Sequence, residues 1–144
     1  MADSPDFRVR LVEWRDASGA LTRIRTTVFV VEQNVPASLE MDGRDGDCAH
    51  ALAESASGEP IGTGRLMPDG RIGRMAVLAP WRGKGVGAAI LDALMAEAKR
   101  RGFRETYLHA QSHAKDFYGR HGYVAVGEEY LEAGIPHVEM RAML

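Results

Sequence analysis

Residues 74–101 constrain the fold more than any other stretch of this chain. Arg74-Met75-Ala76-Val77-Leu78 has the character of a buried strand, Ala79-Pro80 turns it, glycines follow at 83, 85 and 87, and a long amphipathic segment comes next. Ile90, Leu91, Leu94, Met95 and Ala98 fall on one face at helical spacing. Lys99, Arg100 and Arg101 suit the negative end of a helix dipole, and Gly102 suits a left-handed terminal position. A strand that turns into such a helix requires a layered arrangement in which the helix lies back on a sheet.

The flanking sequence supplies the remaining layers. Phe7, Val9 and Leu11 alternate as a strand over 7–12. After Gly19, residues Leu21, Ile24, Val28 and Val31 form the apolar stripe of a first helix, with Arg23 and Arg25 elsewhere on the wheel. Residues 34–47, rich in Pro, Gly and Asp, predict an irregular, mobile loop. Runs 48–54 and 61–67 around the turn cluster 55–60 predict an antiparallel hairpin, followed by a strand over 71–78. Residues 106–110 read as a strand, and Ser112 is placed to cap a short helix over 113–121 that Gly122 ends. Strands over 123–126 and 135–140 close the chain. The order β-α-β-β-β-α-β-α-β-β, in 144 residues without linker or repeat, predicts one domain over 7–144 of the α/β (α+β) class, a mixed sheet with helices packed on it.

The glycine turn has chemistry as well as shape. A helix N-terminus leaves backbone N–H groups unpaired, and no Ser, Thr, Asp or Asn stands at the expected cap to satisfy them. Glycines admit close approach to the main chain, the helix dipole adds partial positive charge, and Arg82 and Lys84 add full charges. The site therefore suits a pyrophosphate. A glycine turn alone more often serves only to join strand and helix; the missing cap and the two cations favour a ligand. A P-loop is excluded because Gly85, not Ser or Thr, follows Lys84. A dinucleotide turn is disfavoured because Pro80-Trp81 intervenes and the next strand ends in His109-Ala110-Gln111 without an acidic residue.

Formal net charge is -2, from 18 Lys and Arg against 20 Asp and Glu, so nothing draws the chain as a whole to nucleic acid or anionic membrane. A single cysteine, Cys48, excludes an internal disulfide, and no Cys/His cluster has zinc-ligand spacing, so no metal is expected. The start, Met1-Ala2-Asp3-Ser4-Pro5-Asp6, lacks a basic and then apolar leader, and no apolar run is long enough to span a bilayer; a cytoplasmic location is expected.

At this point the chain resembles the GNAT N-acetyltransferases. Their acyl-CoA motif, Gln/Arg-x-x-Gly-x-Gly/Ala between a strand and a long helix, is matched at every position by Arg82-Gly83-Lys84-Gly85-Val86-Gly87. A second family feature, Asn-x-x-Ala-x-x-(apolar)-Tyr before a Gly-aromatic pair, is met by Gln111 to Tyr118 and Gly122-Tyr123, with Gln111 in place of Asn. Glu32-Gln33, the Asp-rich loop and Gly134-Ile135-Pro136-His137 resemble one branch of small bacterial members.

The resemblance implies a mostly antiparallel sheet of about seven strands flanked by about four helices, with a splayed strand pair holding acyl-CoA. It also implies acetyl-CoA as cosubstrate and transfer of its acetyl group to a primary amine on a small molecule, peptide or protein by direct attack; a homodimer stays open. The pantetheine arm is expected beside Met75, Ala76 and Val77, the phosphates at Arg82, Gly83, Lys84, Gly85, Val86 and Gly87, and further cofactor contacts at Gln111 and Phe117. Val77 N–H is the expected oxyanion donor. Tyr118 occupies the position of the family's general acid, with a packed core tyrosine as its bland alternative. On reference values its proton transfer to a thiolate is uphill by about 2 kcal/mol, so the site is expected to lower the tyrosine's pKa or relay the proton. A lysine-like amine must lose a proton before attack, for which Glu32 is the first candidate base and His137 the second; a solvated helix-end glutamate and a satisfied strand histidine are the competing readings. The loop over 34–47 is expected to select the acceptor through Asp42 and Asp45. Cys48 lacks an activating neighbour, and His50, His109, His113 and His121 are expected in ordinary hydrogen-bonded or surface roles. A binding module that holds acyl-CoA without transferring anything is the alternative from another class.

Overall fold

The computed structural model describes residues 6–144, so the leader reading of residues 1–5 lies outside the described residues. Two sheets make up the body. The first has the order β1(Phe7–Val12), β2(Ala49–Ser55), β3(Pro60–Leu66), β4(Ile72–Val77), antiparallel throughout. The second has the order β5(Glu105–Gln111), β7(Ile135–Met143), β6(Val124–Glu132), also antiparallel. The seven strands and the helices α1(Trp14–Arg25), α2(Ala37–Glu40), α3(Val86–Arg100) and α4(Lys115–Gly119) agree with the expected architecture.

Both faces of the first sheet are covered, which explains why its central strands are nearly continuous in buried residues. Ala51, Ala53 and Ile61 pack with Ile90, Leu91 and Leu94 of α3, whereas Leu52 and Ala76 pack with Leu21, Ile24 and Val28 on the other face. The α3 seat needs a flat surface: a Cβ on Gly64 would stand 2.7–2.8 Å from Met75, Ile90 and Leu94 atoms, closer than carbon atoms tolerate.

The first helix differs from expectation in three ways. It starts at Trp14, because Trp14 and Ala17 join the same apolar cluster and Gly19 lies on the solvent side. From Thr26 to Glu32 it widens into π turns, closed by the bond from Gln33 N–H to Val28 O, and the altered register turns Val31 out to 69% exposure. Arg25 is fully buried, not on the polar side: at four residues after Leu21 and three before Val28 it shares their face.

Residues 34–47 are not an unstructured loop. They form α2 and a 3₁₀ turn at Asp45–Asp47, and Glu40 and Asp45 are buried. Ser112 does not cap the helix that follows it. A 3₁₀ turn occupies Ser112–Ala114, Ala114 precedes α4 with no side-chain cap, and the Ser112 hydroxyl donates to Glu129 at 2.7 Å. β6 extends to Glu132 through an irregularity between Val126 and Tyr130, and Ala133 and Gly134, at φ 53° and 75°, turn it into β7. Two successive positive φ angles match the tight hairpin turn that fits strand twist.

Candidate active site

The two sheets meet at one end and part at the other. A parallel bridge joins Arg71, the residue before β4, to Tyr107 of β5, and beyond it β4 and β5 diverge. A bulge in β4 accompanies the divergence: Thr63 pairs with Ala76 and Arg65 with Gly73, so Arg74 and Met75 together oppose Gly64. Arg74 takes a left-handed φ of 51° there, a strained conformation for a residue with a side chain. Leu78 N–H donates to Ile61 O at 2.9 Å, so by strand alternation the main chain of Val77 faces the opposite way, into the wedge.

At the wide end the glycine turn leads into α3. Gly83 and Gly85 have φ of 77° and 86°, and nothing stands within 4 Å of where a Cβ would be on either. Gly85 is the N-cap residue and offers no side-chain bond. The first bond of this helix runs from Ala89 N–H to Gly85 O, leaving the N–H groups of Val86, Gly87 and Ala88 without intrahelical partners. Lys84 lies with its Nζ 5.2 Å from the Trp81 ring centre. A Cβ on Gly87 would touch Phe117 at 3.6 Å and Val77 at 3.8 Å, which sets Phe117 between helix and wedge. The residues expected at the donor are thus brought together around one uncapped helix start and one unpaired strand edge.

Two consecutive residues at the end of the first helix reach both sides of this wedge. Glu32 accepts from Arg82 Nη2 at 2.7 Å, while Arg82 Nε donates to the Val77 carbonyl at 2.9 Å. Arg82 therefore folds back toward the wedge. Gln33 exchanges amide bonds with Gln111, at 2.8 Å and 3.4 Å, and His113 Nε2 approaches Gln111 Oε1 at 2.7 Å. The sequence had marked Gln33 only as part of the Glu32-Gln33 pair, with no role attached to it.

A cleft of about 540 Å³ continues from Val77, Arg82, Gln111 and Tyr118 to Arg71, His109, Glu132 and His137. Tyr118 packs edge-on to Phe117 at 5.0 Å and to Tyr123 at 5.9 Å. Burial, with a smaller contribution from Tyr123, pushes its phenol up, against the first of the two expected routes, a lowered pKa, and not against the second, a proton relay. A raised phenol widens the gap that direct proton transfer to a thiolate must cross, which leaves the relayed proton as the expected route. His137 is buried and pairs in register with Gln111, one strand further into the second sheet. Glu132, which had not been singled out, and His109, expected in an ordinary hydrogen-bonded or surface role, lie next to it. The Cys48 thiol is pushed up by burial and donates to Arg44 O, consistent with an unreactive role. Among the described residues no group of three or more His, Cys, Asp or Glu is placed to hold a metal ion.

Asp42 and Asp45 do not face an acceptor freely. Arg25 bonds Asp45 at 2.7 Å and Glu40, Arg65 bonds Asp42 at 2.9 Å and Asp45 at 3.1 Å, and Arg74 reaches Asp42 at 3.3 Å and Glu40 O at 3.0 Å. Burial alone would push both aspartates up; hydrogen bonds and charge from Arg65 at Asp42, and from Arg25 and then Arg65 at Asp45, outweigh it and hold both below the usual carboxylate range. These charges fasten residues 37–47 to the sheet.

Comparison with known proteins agrees with this geometry. Residues 16–144 match the family described as Acetyltransferase (GNAT) domain. The chain is 41% identical over 121 residues to the uncharacterized N-acetyltransferase YjcF of Bacillus subtilis, covering 81% of this chain and 86% of that one. Among solved structures, an acyl-CoA N-acyltransferase from Pseudomonas aeruginosa superposes with TM-score 0.83 at 36% identity, over 94% of this chain and 99% of that one. ElaA from Escherichia coli superposes with TM-score 0.84 at 30% identity, over the same shares of 94% and 99%. The chain belongs to the GNAT acetyltransferase family and has its fold.

Proposed function

We propose that the protein transfers the acetyl group of acetyl-CoA to a primary amine by direct attack in a ternary complex. The observation that carries this is the pair of unsatisfied sets of backbone donors, the wedge edge of Val77 at the end of a bulged strand and the start of α3, joined by the glycine turn. The helix start suits the pyrophosphate, and Val77 N–H suits the thioester oxygen as it gains charge. Tyr118, protonated at neutral pH, lines the same cleft and suits the role of acid to the departing sulfur. A module that only held acyl-CoA would need no room beyond the thioester; the cleft runs on to His109 and His137, which favours transfer.

Thiol release from acetyl-CoA, followed with a panel of amines, peptides and amino sugars, tests the reaction. With the best acceptor, Tyr118→Phe should lower kcat by ~10²–10⁴-fold while acetyl-CoA affinity, measured by calorimetry, stays nearly constant. Gly85→Val, which loses the left-handed turn, should weaken acetyl-CoA binding. Full affinity in folded Gly85→Val protein would remove the phosphate assignment, and a wild-type rate in Tyr118→Phe with chemistry limiting would leave Tyr118 a packing residue.

A further inference from the structure

The far end of the cleft holds a cluster that donor binding does not use. His137 Nδ1 lies 2.6 Å from the Ile135 carbonyl oxygen, which can only accept, so Nδ1 carries the hydrogen and Nε2 of the neutral ring presents a lone pair. That nitrogen faces Glu132 Oε2 at 3.6 Å, too far for a hydrogen bond. Two acceptors thus look at each other with no donor between them. The other carboxylate oxygen is held by His109 Nδ1 at 3.3 Å, with Arg71 Nη2 at 3.9 Å. Tyr130 stacks on His137 at 6.2 Å and stands edge-on to His109 at 5.8 Å, and its buried hydroxyl has no partner. Glu139, next on the same face of β7, is already bound to Arg141 at 2.9 Å.

Resting on the acyl-transfer reading, we propose that His137 and Glu132 form the acceptor's ammonium site, and that His137 Nε2 takes its proton. A primary ammonium has three N–H donors on a compact cation; seated beside the Nε2–Oε2 pair on the cleft side, at hydrogen-bond distance from both, it donates one N–H to each and turns the third toward the cleft. A quaternary ammonium has none to offer, and each added alkyl group on nitrogen removes one. The charge of Glu132 stabilises the imidazolium that forms when His137 accepts the first proton, and solvent later removes that proton. The neutral amine then attacks the thioester carbon. As the C–N bond forms and the C–S bond breaks, nitrogen loses a second proton; the sulfur takes a proton from Tyr118, which regains one from that nitrogen through solvent. His109 is a positioning residue that holds the carboxylate in place.

The test uses methylammonium chloride as the probe and tetramethylammonium chloride at equal concentration as the control. The protein carries ¹³C-labelled histidine, and the imidazole signals report. Methylammonium should shift the His137 and His109 signals saturably and leave buried His50 unmoved, tetramethylammonium should do neither, and Glu132→Gln should weaken the response about tenfold or more. Tyr130→Phe, which keeps the ring, should weaken it less. In turnover Glu132→Gln should raise the acceptor KM while that of acetyl-CoA stays within about twofold. Equal shifts with the two cations, or a full response in Glu132→Gln with its His50 signal intact, would overturn the ammonium site. Acetyl-CoA calorimetry keeps the two readings apart: loss of donor binding refutes the acyl-transfer reading, whereas a protein that binds acetyl-CoA but ignores methylammonium refutes only this one.

Discussion

Two charge clusters border the same cleft and are built on opposite terms. Under residues 37–47, Arg25, Arg65 and Arg74 meet Glu40, Asp42 and Asp45 in short bonds, with Arg25, Arg65, Glu40 and Asp45 almost wholly out of water. Across the cleft, His109, Glu132 and His137 sit at 3.3 Å and 3.6 Å around a carboxylate whose side chain is 42% exposed. Saturation separates them. A carboxylate with cations on both oxygens has nothing to offer a substrate and fastens the chain, while a lone pair facing a carboxylate is a vacancy for a donor. Acidic residues near a cleft therefore say little about substrate selection until their partners are counted.

The sharpest way to break that contrast is Arg25→Met, which leaves Glu40 and Asp45 buried with too little positive charge. It should cost ~3–5 kcal/mol of stability in urea unfolding, the range for removing one partner of a buried pair, against ~0.5 kcal/mol or less for Glu132→Gln. Equal costs would mean that the buried network holds nothing in place.

Acid gives the next largest effect. Asp42 and Asp45 have folded pKa values below their unfolded ones, so their stabilisation is present above the unfolded value and is lost as pH falls through the folded one. Urea midpoints should hold steady from neutral pH to about 5 and decline below about 4. Asp42→Asn should flatten that decline and leave the acceptor KM within about twofold. A larger change in KM would return Asp42 to acceptor selection.

The smallest effect is expected at Glu32→Gln. The Glu32–Arg82 pair is exposed, with side-chain accessibilities of 32% and 46%, so its loss should change stability by under ~1 kcal/mol. Freeing Arg82 should improve acetyl-CoA affinity by no more than about fivefold in calorimetry. A collapse of kcat with affinity unchanged would instead make Glu32 the base.

The donor end was legible because its chemistry is local. An uncapped helix start, glycines with positive φ and a preceding strand all lie within a few residues, and their sequence pattern names their conformation. At the acceptor end only His137 was. His109, Glu132 and His137 come together only through the register of β5 on β7 and a two-residue turn, and Glu132 belongs to a stretch that reads as an ordinary acidic surface. The buried network was half visible: the spacing of Arg25 from Leu21 and Val28 places it on the apolar face, a position that only buried partners make tolerable. Nothing local named Glu40 or Asp45 as those partners. Gln33 and Gln111 meet across 78 positions of sequence, beyond any local pattern.

The hairpin at Ala133 and Gly134 carries a consequence for how such a site diversifies. Strand side chains alternate between faces, so one residue added or removed at that turn would send the residue at the Glu132 position to the other side of the sheet. The β4 edge and the start of α3 would be untouched. Descendants of this chain could exchange one acceptor for another by changing the length of a loop while inheriting the donor site whole.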